Sequence, residues 1–222
     1  MSEQFEPIDV FGHEEAEEEV FSIGVLISGS GTNLQAIIDR CADGTLDARV
    51  SVVISNHSSA FGLERAKRAG IPALYIDRGR YVTNAEYNHA ILEALQQHGV
   101  DLLVMAGYMR LLGHEVLEAF PQRVINLHPA LLPSFVGASA IRDAFEYGVK
   151  VTGVTVHFAD EDFDHGPVIA QEPIRIEEDD TIETLEAKIH EVEHRLLPEV
   201  IGLILDERLE IEGRRVRVLP AR

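Results

Sequence analysis

The stretch RVINLHPALLPSF, residues 123 to 135, ends an apolar run on Asn126 and His128, two positions apart, with Pro129 directly behind the imidazole. A strand alternates its side chains between two faces, so the carboxamide and the imidazole project from one side while Val124 continues their row inward. An imidazole moves protons near neutral pH, and an uncharged carboxamide can donate to an oxygen that is gaining negative charge. Together they suit a reaction that passes through a tetrahedral, oxyanion-bearing intermediate. The same pattern also fits a turn with a satisfied histidine, so the pair gains meaning only from its neighbours.

Two further segments could supply those neighbours. SGSGTNLQAII, Ser28 to Ile38, follows a strand-like run and opens a helix-like one. Backbone N–H groups and the helix dipole favour an anion there, and Gly29 and Gly31 would let the backbone approach it closely. Thr32 or Asn33 can cap the helix and donate to a ligand. Leu34 stands where a dinucleotide fingerprint needs its third glycine, and no Lys-Ser/Thr pair follows as in a P-loop, so a monophosphate is the expected guest. In VTVHFADEDFDHGPVIAQ, Val154 to Gln171, Thr155 and His157 share a strand face. The loop behind them holds Asp160, Glu161, Asp162 and Asp164 before Gly166-Pro167 turns the chain. One of those carboxylates could swing in to orient a catalytic imidazole and raise its pKa. His157 is open to a structural reading too, as a group bonding the sheet edge.

The elements that must position these residues read as an alternation. SIGVLIS, RVSVVIS, PALYI, DLLVMAG and RVINL are short Val/Ile/Leu runs suited to strands buried on both faces. Between them, TNLQAIIDRC, SAFGLERAKRAG and NAEYNHAILEALQQHG show helical apolar spacing, the last two closing on Gly70 and Gly99. Strand–helix–strand repetition predicts a parallel sheet covered by helices. After residue 148, VKVTGVTVHF and PVIAQEPIRI predict an antiparallel pair, a long helix follows over Thr181 to Leu205, and LEIEGRRVRVLP predicts a terminal hairpin. The expected fold is α/β: an open, mostly parallel twisted sheet with helices on both faces and antiparallel C-terminal strands. In such sheets ligands bind beyond the carboxyl ends of the strands, where the glycine loop and the Asn126–His128 pair both stand.

The bulk numbers narrow the partners. At 222 residues and 45% hydrophobic, the chain has the size of one domain with a sizeable core. A net charge of −19 argues against sequence-independent binding to a nucleic acid backbone. Residues 1–20 hold eight acids and no Lys or Arg, and read as a solvated, disordered tail ahead of a domain at 21–222. No apolar run suits a signal peptide or a membrane span. The single cysteine, Cys41, cannot pair within the chain, which points to a reducing cytoplasm, and it has no close partner that would suggest a metal.

At these residues the chain resembles the phosphoribosylglycinamide formyltransferases, folate-dependent enzymes of purine synthesis. The resemblance runs from about Ser22 to Leu219 through VLISGSGTNLQAIID, SNHSSAFGLERAKRAGIPA, MAGYMRLL, INLHPALLPSF, GVKVTGVTVHF, DHGPVIAQ and HEVEHRLLPEV, in order. It implies transfer of the formyl group of 10-formyltetrahydrofolate to the amine of glycinamide ribonucleotide, with no metal. By position, Gly31, Thr32, Asn33, His190 and Glu193 would hold the ribonucleotide, and Met109, Arg110, Leu111, Leu112 and Asn126 the folate. His128 would be the general acid, Asn126 would stabilise the oxyanion, and Asp164 would raise the histidine's pKa, with Ser139, Thr155 and His157 in support. The implied partners are the two small-molecule substrates, with no nucleic acid and no membrane; a homodimer is allowed.

Two departures stand out. Ser139 in FVGASAIRD occupies a place where relatives usually carry His, which implies lowered turnover. Asn84 in VTNAEY stands where a folate-contacting Arg is common. The alternatives are a formyltetrahydrofolate hydrolase, which releases formate to water but usually carries an added N-terminal domain, and a catalytically impaired folate or nucleotide binder in which Ser139 has cost the activity. Transferases acting on methionyl-tRNA or nucleotide-linked sugars generally continue into a further domain, whereas this chain ends near its expected terminal strand.

Overall fold

A computed structural model describes residues 20–221. The acidic tail read at 1–20 therefore lies, apart from Val20, outside the described residues. The chain runs β1 (Phe21–Ile27), α1 (Thr32–Ala42), β2 (Ala48–Ser55), α2 (Phe61–Arg68), β3 (Ala73–Tyr75), α3 (Asn84–Gln97), β4 (Leu102–Met105), α4 (His114–Ala119), β5 (Val124–His128), α5 (Ala140–Tyr147), β6 (Val151–Phe158), β7 (Val168–Arg175), α6 (Ile182–Leu205), β8 (Leu209–Glu212) and β9 (Arg215–Val218). The strands form one nine-stranded sheet in the order β3-β2-β1-β4-β5-β6-β7-β9-β8.

The expected fold class holds. The first five strands pair in parallel, β5–β6 and β6–β7 are antiparallel, and β8–β9 close as an antiparallel hairpin attached in parallel to β7. The continuous apolar runs are explained by burial on both faces. Ile23, Val25 and Ile27 of β1, Leu102 and Val104 of β4, and Ile125 and Leu127 of β5 pack with α1, α2 and α6. Leu26, Leu103, Met105 and Val124 point the other way, against α3 and α4. Neither α4 nor α5 is anticipated by the sequence reading, because six and eight residues carry too few turns for a helical period to register. Among the described residues no helix is long and apolar enough to cross a membrane.

This order places the site. The chain winds outward from β1 to β2 and β3, then returns to β4 on β1's other side, so β1 and β4 flank the switch point where a crevice opens. The loops leaving these two strands are tied together there: Ser28 N–H donates to the Gly107 carbonyl at 3.1 Å, and Met109 N–H to Ser28 Oγ at 2.9 Å.

Candidate active site

The glycine loop enters α1 with Gly31 in the left-handed region at φ 69°, as the N-cap, with no side chain capping the helix. The expectation that Thr32 or Asn33 caps α1 is corrected here. Both lie inside the first turn, and the Asn33 amide instead donates to Glu193 Oε2 of α6 at 3.0 Å. The first-turn N–H groups thus face the crevice without a side-chain acceptor, which is the condition for an anion site. The loop is seated on α2: Gly62 N–H donates to the Gly29 carbonyl at 3.1 Å, and a Cβ on Gly31 would stand 2.6 Å from Gly62 Cα.

Glu193 is buried and accepts from both Asn33 and, at 2.7 Å, His190 Nδ1. That bond raises the pKa of His190, favouring an imidazolium at the mouth of the cleft. His194 stacks on His190 with ring centroids 6.0 Å apart, and burial pushes its pKa down. The cleft formed by the glycine loop, His190, Glu193 and Ser139 has a volume of about 520 Å³. Ser139 is exposed at the N-cap of α5 and makes no capping bond.

Beyond β4 and β5 lies a second cleft of about 300 Å³, walled by Met109, Leu111, Leu112 and Phe163, with Asn126, His128 and Asp164 at its inner end. Met109, Leu111 and Phe163 are exposed apolar side chains, as the walls of a slot for a flat ring should be. Gly107, Met109, Leu127, Pro129 and Ala138 line both clefts, so the two adjoin along these residues. Arg110 lies over the Tyr87 ring at 5.5 Å, and Arg78 over it at 6.0 Å. Arg78 also donates from Nε to Asn84 Oδ1 at 2.8 Å, so a guanidinium reaches the corner from which the sequence reading found an arginine missing.

The three heads converge at the inner end of the smaller cleft. The ladder pairs Asn126 with His157 and His128 with Thr155 across β5 and β6. Asn126 Nδ2 lies 3.0 Å from His157 Nε2 and donates to Asp164 Oδ1 at 3.2 Å. His128 is buried; its Nε2–H donates to the Phe135 carbonyl at 2.8 Å, and its Nδ1 lies 3.4 Å from Asp164 Oδ2. A proton carried on Nδ1 therefore faces both the carboxylate and the cleft. Gly137 N–H donates to Asp164 Oδ2 at 2.9 Å, and Asp164 itself sits at φ 53°, a left-handed conformation that turns its side chain inward.

Thr155 does not reach the clefts; it is buried, donates to the Ala130 carbonyl at 2.6 Å and accepts from Leu132 N–H and Gln171 Nε2. It pins the 130–135 loop whose Phe135 carbonyl orients His128. Phe135, Gly137, Gln171, Gly62 and Phe163 are the contributors that the sequence reading missed. The first two act through backbone atoms, which leave no mark on residue type.

His157 is buried and donates from Nδ1 to the Phe158 carbonyl at 2.8 Å. Burial pushes its pKa below the ordinary histidine value, outweighing the pull of that carbonyl and of Asp164. The sign of the linkage follows. With the folded pKa depressed, the unfolded chain takes the proton first as pH falls below about 6.5, so stability is lost through that window. Urea unfolding at pH 7.5 and pH 5 should show the stability gap between the native chain and His157→Gln narrowing at the lower pH; a constant gap would contradict a neutral His157.

Comparison with known proteins agrees with this geometry. A family model described as formyl transferase matches residues 22–201. The chain is similar to the phosphoribosylglycinamide formyltransferase of Bacillus subtilis, 43% identical over 181 residues, covering 82% of this chain and 93% of that protein. It is also 40% identical over 189 residues to the trifunctional purine biosynthetic protein adenosine-3 of Gallus gallus, covering 85% of this chain but only 19% of that protein. Among solved structures, glycinamide ribonucleotide transformylase 1 from Symbiobacterium toebii superposes with a TM-score of 0.88 at 52% identity, covering 90% of this chain and 95% of that one.

Proposed function

The chain belongs to the formyl transferase family, and from that premise we propose that it is a phosphoribosylglycinamide formyltransferase, moving the formyl group of 10-formyltetrahydrofolate to the amine of glycinamide ribonucleotide in purine synthesis. The observation that carries this reading is that the cleft ending on Asn126, His128 and Asp164 shares Gly107, Met109, Leu127, Pro129 and Ala138 with the cleft over the glycine loop. A hydrolase needs only a water beside the formyl group. Here the position is met by a second, larger cleft whose floor is a helix N-terminus shaped for a phosphate.

The residues take roles by their surroundings. Gly31, Thr32 and Asn33 hold the phosphate, and Glu193, with His190, binds the polar part of the ribonucleotide. Met109, Arg110, Leu111 and Leu112 line the pterin slot. The amine nitrogen attacks the formyl carbon, and the carbonyl electron pair moves onto oxygen. Asn126 donates to that oxygen, and the Nδ1 proton of His128 neutralises it. The carbonyl then re-forms as its hydroxyl proton returns to His128 Nδ1, the bond to the folate nitrogen breaks with its electron pair staying on that nitrogen, and the nitrogen takes up the proton that the amine gives up. Asp164 holds the imidazole with Nδ1 turned to this exchange. No step calls for a metal. Residues 21–222 act as one catalytic domain on this reading, since the glycine loop near one end meets Glu193 near the other. A cytoplasmic setting suits the unpaired Cys41.

Absorbance of the deformylated folate, followed with and without glycinamide ribonucleotide, tests the assignment. Deformylation should depend on the ribonucleotide and saturate with it. An equal rate in its absence would replace the transferase by a hydrolase, and no deformylation in either arm would leave a binder.

A further inference from the structure

The Asn126 carboxamide has two ends of similar shape and opposite polarity, and only one of them can serve an oxyanion. Which end faces the reaction depends on what the amide meets on its other side. His157 Nδ1 lies 2.8 Å from the Phe158 carbonyl, and a carbonyl can only accept, so the ring proton sits on Nδ1. Nε2 of a neutral ring is then a bare lone pair, 3.0 Å from Asn126 Nδ2. The second N–H of the same amide points at Asp164 Oδ1, 3.2 Å away. Turning the amide over would set its oxygen against a lone pair and a carboxylate at once.

We propose that His157 is a positioning residue for formyl transfer: as the Nδ1–H tautomer it fixes the polarity of the Asn126 amide, keeping an N–H directed to the place where negative charge develops. This inference rests on the transferase reading above. The N–H held by His157 stays in place, and the longer bond, to Asp164, is the one that the forming oxyanion takes over. Without an acceptor at position 157 the two amide orientations lose one of the two contacts that separate them, and a fraction of the molecules would present a carbonyl oxygen to the oxyanion. His157 borders the inner end of the smaller cleft but is buried between β5 and β7, with Nδ1 on the Phe158 carbonyl and Nε2 turned to Asn126 and Asp164. The titratable groups that face it are Asp164 at 3.9 Å, Asp160 and His128.

Three measurements decide the matter. His157→Leu, which keeps bulk and removes the acceptor, should lower kcat about tenfold with both KM values within about threefold, the pattern for a contact used in the transition state. His157→Gln, whose side-chain oxygen can accept from Asn126 while its amide reaches Phe158, should keep kcat within about threefold of the native enzyme. In an Asn126→Ala background the Leu substitution should cost less than about twofold, because the group it positions is gone. Equal cost in both backgrounds, or a native kcat in His157→Leu, would overturn the proposal. Should the Leu variant fail to fold, the ring nitrogen-15 signals of the native protein stand in: a protonated Nδ1 with a bare Nε2 supports the proposal, and a protonated Nε2 ends it. Formyl transfer by the native enzyme is the control. Its absence would sink the assigned function and leave the tautomer result intact.

Discussion

Replacing His128 by Gln is expected to lower kcat by about 10²- to 10⁴-fold while leaving both KM values within a few-fold, the range in which a positioned proton donor contributes. The substitution is chosen to be quiet elsewhere. The Gln amide can still donate from its Nε2 to the Phe135 carbonyl, which His128 Nε2 meets at 2.8 Å, so the buried loop keeps its anchor. What disappears is the Nδ1 position, 3.4 Å from Asp164 Oδ2, from which a proton can be given to an oxyanion and recovered. The polar partner of this nitrogen is Asp164, not the apolar wall or the glycine loop, which is why binding should survive. Steady-state kinetics with both substrates varied would separate the two effects. A variant with a KM raised a hundredfold and kcat intact would move His128 from the chemistry to substrate binding.

Gly31→Ala should be the most damaging single-atom change in the cleft over the glycine loop. Two independent costs coincide. The residue sits at φ 69°, where an L side chain is strained by about 1 kcal/mol. The added Cβ would also stand 2.6 Å from Gly62 Cα, a backbone atom at the start of α2 that cannot rotate away. Relief requires the loop to lift from α2, breaking the bond between Gly62 N–H and the Gly29 carbonyl and displacing the free N–H groups of α1. We expect a loss of about 2–3 kcal/mol, read as a fall in Tm of roughly 5–10 °C for a chain of this size. The KM for the ribonucleotide should rise at least about tenfold while folate binding holds, since one 1.4 kcal/mol step in the phosphate contacts corresponds to a factor of ten. Thermal melts with each ligand alone would show this as a lost shift with the ribonucleotide only. A retained shift would mean that the phosphate is held elsewhere.

The legible part of this fold was what periodicity can carry. The five Val/Ile/Leu runs became β1 to β5, with β1, β2, β4 and β5 buried on both faces and the short edge strand β3 only partly covered, and the switch from helices to closely spaced strands after residue 148 became the antiparallel β6–β7 pair. Asn126 and His128 were readable as one row of a strand end, and the row holds, with Val124 beneath them in the core. The choice among the four acids of the 160–164 loop was not readable from composition, and the resemblance alone singled out Asp164. The physical reason is now visible: Asp160 is spent on His165, Glu161 on His114, and only Asp164 adopts the left-handed backbone that turns a carboxylate inward to Gly137 and Asn126. The Phe135 carbonyl and the Gly137 N–H could not be found from sequence at all, since any residue offers the same atoms. Gly62 looked like an ordinary helix residue until Gly31 was found lying against it. Asn84 read as a lost cation, yet Arg78, six positions earlier, reaches the same corner.

The destination of the formyl carbon tests the account most directly. With 10-formyltetrahydrofolate labelled in that carbon and glycinamide ribonucleotide in excess, the label should appear in the formylated ribonucleotide in step with tetrahydrofolate formation. Label released as formate while the ribonucleotide stays unmodified would contradict it.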